Sequence, residues 1–201
     1  MSAHATLLAV SWHDYIAADL AHEGKLEFYD GEVYAMAGGT PAHAALSANV
    51  VSALNAALRG CPCVTMSSDV RIALLDDSAC YPDAAVVCGD AVFRTPHTLA
   101  NPLVVAEVLS PTTATWDRTG KLERYCALPS LRYVLLVAHD AWHVTLYARQ
   151  ADGTWTWSTA RAGEDLVLGA LEVTLAVDEL YREVERVGGP SREDRPAPPR
   201  G

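Results

Sequence analysis

Residues 103–109 read Leu-Val-Val-Ala-Glu-Val-Leu, a compact apolar run of the kind found in the middle of a sheet, with one carboxylate inside it. An ionised carboxylate in such a strand costs several kcal/mol unless something compensates it. Glu107 therefore calls for a cation, an Arg or Lys partner, or a proton. The bland readings are a salt bridge or a strand with one wet face. Residues 84–88, Ala-Ala-Val-Val-Cys, form a second run of this type, and Tyr81-Pro82-Asp83 leads into it. Pro82 favours an extended entry and leaves Asp83 at the mouth of the strand, although Pro-Asp is also ordinary turn chemistry.

Downstream, residues 113–128 read as a helix carrying Lys121. The chain has two lysines against thirteen arginines, so arginine is its default cation and a retained lysine suggests a need for a compact ammonium. Asp117, Lys121 and Tyr125 are spaced by four and share one helix face; a solvated Asp117–Lys121 pair is the structural alternative. Asp83 and Glu107 would supply hard oxygen ligands for Mg²⁺ or Mn²⁺, and Lys121 could activate a bound water or stabilise charge on a phosphate. Such a set suits phosphodiester hydrolysis.

The remaining elements follow from local signals. Ser11 and Asp14 mark a helix start, with Trp12, Ile16 and Leu20 on one face and Gly24 as the stop. Asp30-Gly31 joins strands 25–29 and 32–37 in a hairpin. Thr40-Pro41 opens a helix whose buried stripe is Leu46, Val50, Leu54 and Leu58, closed by Gly60. Strands are expected at 63–67, 70–75, 133–137, 142–147 and 154–159, and a last helix at 177–187. Helices and strands mix without regular alternation, which predicts an α/β (α+β) fold with a mixed β-sheet flanked by helices. Residues 1–187 are expected to form one domain and the Gly/Pro-rich residues 188–201 a disordered tail.

The 201 residues are 50% hydrophobic and 20% charged, enough apolar content for a packed core, and the formal net charge is −10. An acidic chain is a poor nonspecific nucleic-acid coat, though a local basic groove stays possible. Between residues 118 and 132 the balance reverses, with Arg118, Lys121, Arg124 and Arg132 against Glu123 alone. No apolar run approaches the roughly 20 residues of a membrane span, and residues 6–10 lack the preceding basic residue of a secretory signal. Five cysteines, an odd number, are expected to be reduced thiols in a cytoplasm. Cys61-Pro62-Cys63 is too tightly spaced for a zinc site, and His43, in the first turn of its helix, reads as a structural hydrogen-bonding residue.

Several spaced motifs carry a resemblance: Phe28-Tyr29-Asp30-Gly31-Glu32, His43, Ser68-Asp69-Val70-Arg71, Tyr81-Pro82-Asp83, Glu107-Val108-Leu109-Ser110-Pro111, Asp117-Arg118, Lys121, Tyr125 and Pro129-Ser130-Leu131. Across residues 11–185 the chain resembles the Uma-two family, bacterial restriction-endonuclease-type proteins of the PD-(D/E)XK nuclease superfamily. The resemblance implies a restriction-endonuclease-like fold, Asp83 and Glu107 as ligands of Mg²⁺ or Mn²⁺, and DNA as substrate. Leu109 stands where the E-x-K signature wants lysine, and Lys121 on the following helix fills that role. Glu27, Asp69 and Tyr125 match family positions near the pocket, Asp69 serving equally well as a strand-end cap. Arg118 and Arg124 are candidate substrate contacts.

The leading expectation is a Mg²⁺-dependent DNA endonuclease, cytoplasmic and working as a homodimer because cutting both strands wants two sites about a two-fold axis. The competing class is a catalytically silent binding or assembly module on the same fold, motivated by the net charge. A cysteine enzyme using Cys126 or Cys88 is the weakest reading, since no cysteine sits in a nucleophile motif.

Overall fold

The computed structural model describes residues 10–36, 38–110 and 114–192. In chain order the elements are α1 (Trp12–Ala21), β1 (Leu26–Tyr29), β2 (Glu32–Ala35), α2 (Pro41–Ala57), β3 (Cys63–Ser67), β4 (Arg71–Ala73), β5 (Ala79–Cys80), β6 (Ala84–Cys88), β7 (Phe93–Thr95), β8 (Thr98–Leu99) and β9 (Val104–Val108). Then come α3 (Ala114–Trp116), a π-helical turn (Asp117–Lys121), α4 (Leu122–Ala127), β10 (Tyr133–Val137), β11 (His143–Arg149), β12 (Trp155–Arg161), β13 (Asp165–Leu168), β14 (Val173–Ala176) and α5 (Val177–Leu180).

The central sheet has the order β12-β11-β10-β9-β6-β3. Its β9 and β10 pair in parallel and the other neighbours are antiparallel, so the sheet is mixed as expected. A second six-stranded sheet, β2-β1-β5-β4-β8-β7, and the β13-β14 hairpin were not legible beforehand. Two-residue strands such as β5 and β8 carry no periodicity to read.

Alternation in the central strands divides the core. Val104, Ala106, Val108 and Leu135 pack on Leu46, Val50, Leu54 and Leu58, the expected stripe of α2. Val105, Leu109, Val134 and Leu136 face the other way, against Tyr125 and Leu128 of the helical run and Tyr29, Ile72 and Cys80 of the second sheet. Glu107 shares this second face.

Local chemistry explains most boundaries. Asp30 and Gly31 both have positive φ (52° and 83°), the geometry of a two-residue hairpin turn. Thr40 accepts from the His43 amide, with Pro41 at the first helical position.

Helix α1 starts at Ser11 as expected but turns a different face inward: Tyr15 and Asp19 are buried and Leu20 is exposed. Asp19 is held by the Arg71 guanidinium, the Tyr81 hydroxyl at 2.5 Å and the Leu26 amide at 2.8 Å. This polar anchor is invisible to apolar periodicity.

The expected helix 177–187 is also interrupted: α5 ends at Leu180, Glu183 has φ 60°, and a 3₁₀ turn covers Val184–Val187. Of the expected tail, Pro190 accepts from the Trp142 indole at 3.0 Å and Arg192 pairs with Asp178 at 2.7 Å, while residues 193–201 lie outside the described residues.

The cysteines correct the expectation of reduced thiols. Cys63 and Cys88 are register partners on β3 and β6 and form a disulfide, whereas Cys61, Cys80 and Cys126 are free. Antiparallel pairing placed them opposite one another, and spacing along the chain does not reveal that. No helix among the described residues is long and apolar enough to cross a membrane.

Candidate active site

Strand register brings the two expected ligands together. Ala84 pairs with Ala106, so Asp83, one step earlier, stands opposite Glu107, one step later. The Val108 amide donates to Asp83 Oδ2 at 2.7 Å, locking the two strand ends. Ser47 Oγ on α2 donates to the other oxygen, Oδ1, at 3.0 Å. His43, one helical turn before Ser47, places Nε2 3.1 Å from the Val108 carbonyl oxygen and 3.5 Å from Asp83 Oδ2. Gly39 makes room for that ring, because a Cβ there would lie 2.8 Å from His43 Nδ1. His43 and Ser47 thus belong to the site. Their i,i+4 spacing on the first turns of α2 was the available signal, and a lone histidine had concealed it.

Glu107 lies at the centre of a buried polar cluster. Lys121 Nζ is 2.9 Å from Glu107 Oε1 and donates to Glu27 Oε1 at 3.0 Å. The Tyr125 hydroxyl donates to Glu107 Oε1 at 2.6 Å. Glu27 comes from β1 of the second sheet and is held by the Tyr81 amide at 3.0 Å and the Tyr29 hydroxyl at 3.1 Å. The sequence pointed to Glu27, Lys121 and Tyr125; Tyr29 was missed as a contributor because it read only as a hairpin strand residue.

The π-helical turn positions the lysine. Four residues of α-helix overshoot a full turn by about 40°, and the wider turn at Asp117–Lys121 takes up part of that drift. Asp117, Lys121 and Tyr125 consequently all stay buried at a spacing of four.

Burial pushes Glu107 up to about 8; the Lys121 ammonium opposes this, while Asp83, Asp117 and Glu27 reinforce it. For Lys121, burial acts downward but the Glu107 and Glu27 carboxyls outweigh it and hold the ammonium well above its ordinary range. One cation thus faces two carboxyls.

The other expected site residues lie apart. Asp69 is exposed and pairs with Lys25 at 2.9 Å, which lowers its pKa through hydrogen bond and charge. Arg124 is neutralised by Asp30 at 2.5 Å and Asp76 at 3.0 Å, and lies over the Tyr29 and Trp116 rings. Arg132 donates its amide to Leu103 at the far end of β9 and β10, away from Asp83. Arg118 is exposed.

Among the described residues no group of three or more His, Cys, Asp or Glu side chains is arranged as a metal site. The donors nevertheless fit a hard cation of few protein ligands. Asp83 Oδ2 and the Val108 carbonyl oxygen both approach His43 Nε2, while the Glu107 carboxyl turns to Lys121 and Tyr125. Carboxylate and carbonyl oxygens are the hard donors that Mg²⁺ takes.

The model of the Uma2 family, described as "Putative restriction endonuclease", matches residues 12–178. The chain belongs to the Uma2 family. Two uncharacterized proteins of Synechocystis sp. are similar to it. One is 31% identical over 174 residues, covering 86% of this chain and 92% of the relative. The other is 28% identical over 154 residues, covering 75% and 87%. A solved structure, "a putative nuclease belonging to DUF820" from Anabaena variabilis, has a TM-score of 0.68 at 15% identity and covers 87% of this chain and 99% of that one. That likeness spans most of the chain, and this Uma2 protein has the restriction-endonuclease-like arrangement of a mixed sheet flanked by helices.

Proposed function

We propose that this Uma2 protein is a Mg²⁺-dependent DNA endonuclease, cytoplasmic and active as a homodimer. The observation that carries the reading is Lys121 Nζ within 3.0 Å of both Glu107 and Glu27, with Asp83 tied to the end of the same strand by the Val108 amide. Asp83 and Glu107 would hold the ion, which when bound would supply Lewis acidity and a water of lowered pKa. Ser47 and the Val108 amide fix the Asp83 carboxylate. Tyr125 fixes Glu107, and Tyr29 with the Tyr81 amide fixes Glu27. Lys121 donates toward the scissile phosphate or the attacking water, where an ammonium offsets growing negative charge. Plasmid nicking in Mg²⁺ and in Mn²⁺ tests the reading, with wild type beside Asp83→Ala and Lys121→Ala. Cleavage by wild type alone is expected; equal cleavage by all three would reject the site.

Burial favours a second reading. The Lys121 and Glu107 side chains are only 4% and 6% exposed, as in a silent binding module whose polar core is structural. Folded wild type that cleaves nothing in either metal would select it.

A further inference from the structure

Six of the eleven arginines among the described residues have an acid beside them: Arg71 with Asp19, Arg94 with Asp77, Arg124 with Asp30 and Asp76, Arg182 with Glu179, Arg186 with Glu183, Arg192 with Asp178. Arg118 and Arg161 have no carboxylate within 4.0 Å of their guanidiniums among the described residues. Glu164, the nearby acid, accepts from the Arg161 backbone amide instead. Arg59, Arg132 and Arg149 also lack an acid but lie elsewhere; Arg149 donates to the Cys126 and Pro129 carbonyls at the opposite strand ends.

Strand register puts Arg161 near the active site. It pairs with His143 across β11 and β12, so both side chains share a sheet face. Two residues along, the row Glu107, Leu136, Thr145, Thr159 crosses the sheet on that same face. Three strand spacings of about 4.8 Å place Thr159 roughly 14 Å from Glu107. Arg161 and His143 sit at the strand ends that carry Val108 and Asp83. The helical run lies alongside β12, since the Trp155 indole donates to the Cys126 carbonyl at 3.3 Å. At the other end of the run, in the π-helical turn, the Arg118 side chain is exposed. Burial, Arg161 and Arg118 together lower the His143 imidazole, against a smaller opposing effect of Asp140. Between these ends, on the same face, Trp157 is 67% exposed.

We propose that Arg118, His143, Arg161 and Trp157 form a track for one nucleic-acid strand leading to the Asp83–Glu107 site. The guanidiniums take phosphates, the imidazole N–H adds a neutral donor, and the indole stacks on an unpaired base. Uncompensated cations beside an exposed aromatic ring are the combination that binds single strands without sequence preference. The inference rests on the nuclease reading for the identity of the polyanion.

The test is fluorescence anisotropy of a labelled single-stranded oligonucleotide, in EDTA, across a salt series, with full-length wild type, Arg118→Gln/Arg161→Gln, Arg161→Lys, Trp157→Ala and Glu107→Gln. The double variant is expected to lose roughly tenfold or more in affinity and to flatten the salt slope by about two ions. Trp157→Ala is expected to lose at least about fivefold with the slope unchanged. Arg161→Lys keeps the charge and most of the binding, which separates charge from fold. Wild-type affinity in both the double variant and Trp157→Ala overturns the track, whatever the enzyme cleaves. Glu107→Gln is expected to bind like wild type while abolishing plasmid cleavage in Mn²⁺. Tight, track-dependent binding without wild-type cleavage removes the nuclease and keeps the track, whereas absence of binding removes the track.

Discussion

The Lys121 ammonium and the Glu107 carboxyl meet at 2.9 Å where both side chains are almost wholly shielded from water. They arrive from different elements, the lysine from a helix that follows the glutamate's own strand. Glu27 approaches the same Nζ from the second sheet. The three-residue cluster is therefore complete only when both sheets and the helix have docked.

Removing the ammonium should be costly. Lys121→Met leaves two buried carboxyls without their cation and is expected to destabilise the fold by about 3–5 kcal/mol. Adding Glu107→Gln to that variant should restore part of the loss. Urea unfolding of the single and double variants checks this, and additive losses would mean that the two residues do not interact.

Stability should fall with rising pH through this group. Glu107 moves from an ordinary value of 4.5 up to about 8 on folding, so the native state holds a proton that the unfolded chain releases. The contribution is complete below about 4.5 and is lost as pH rises to about 8. Thermal unfolding between pH 5 and pH 9 should show that slope in wild type and a flatter one in Glu107→Gln.

Divalent-ion binding should release a proton. Glu107 must ionise to act as a ligand, so Mn²⁺ affinity is expected to rise with pH until about 8 and then level off. Calorimetry at neutral pH in buffers of different ionisation enthalpy should report about one proton released per ion. Glu107→Ala should bind Mn²⁺ more weakly; unchanged binding would remove Glu107 from the ligand set.

The Cys63–Cys88 bridge closes a separation of 25 residues. Cys63→Ser is expected to lower stability by about 2–4 kcal/mol under oxidising conditions. Wild type in excess reductant should fall to the level of the variant, which urea midpoints in both conditions would reveal.

The legible parts of this protein were those written in local chemistry. Asp30-Gly31 specifies a turn by its tolerance of positive φ, Thr40-Pro41 caps a helix, and Leu46 to Leu58 advertise a buried stripe. Glu107 drew attention because a carboxylate in an apolar strand needs a partner, and Lys121 was found on the helix where the spacing placed it. What stayed hidden depends on pairing across the chain. Asp19 is buried because Arg71 and Tyr81 meet it, Cys63 faces Cys88 through antiparallel register, and His43 reaches Asp83 because α2 begins beside that strand. The basic stretch 118–132 also divides in space. Arg118 and Arg161, 43 positions apart in the chain, both act on His143, while Arg132 goes to the opposite strand end.

The π turn at Asp117–Lys121 makes this helix intolerant of length change in a particular way. Deleting one residue within it would let the run close into ordinary α-helix, with a regular ladder of backbone bonds. The same deletion would swing the residues on one side of it by about 100° relative to the other, separating Asp117 from the direction Lys121 and Tyr125 share. A shorter chain with a better-formed helix would thus be a worse-built centre. Indels here, more than substitutions, are the changes this scaffold should have refused.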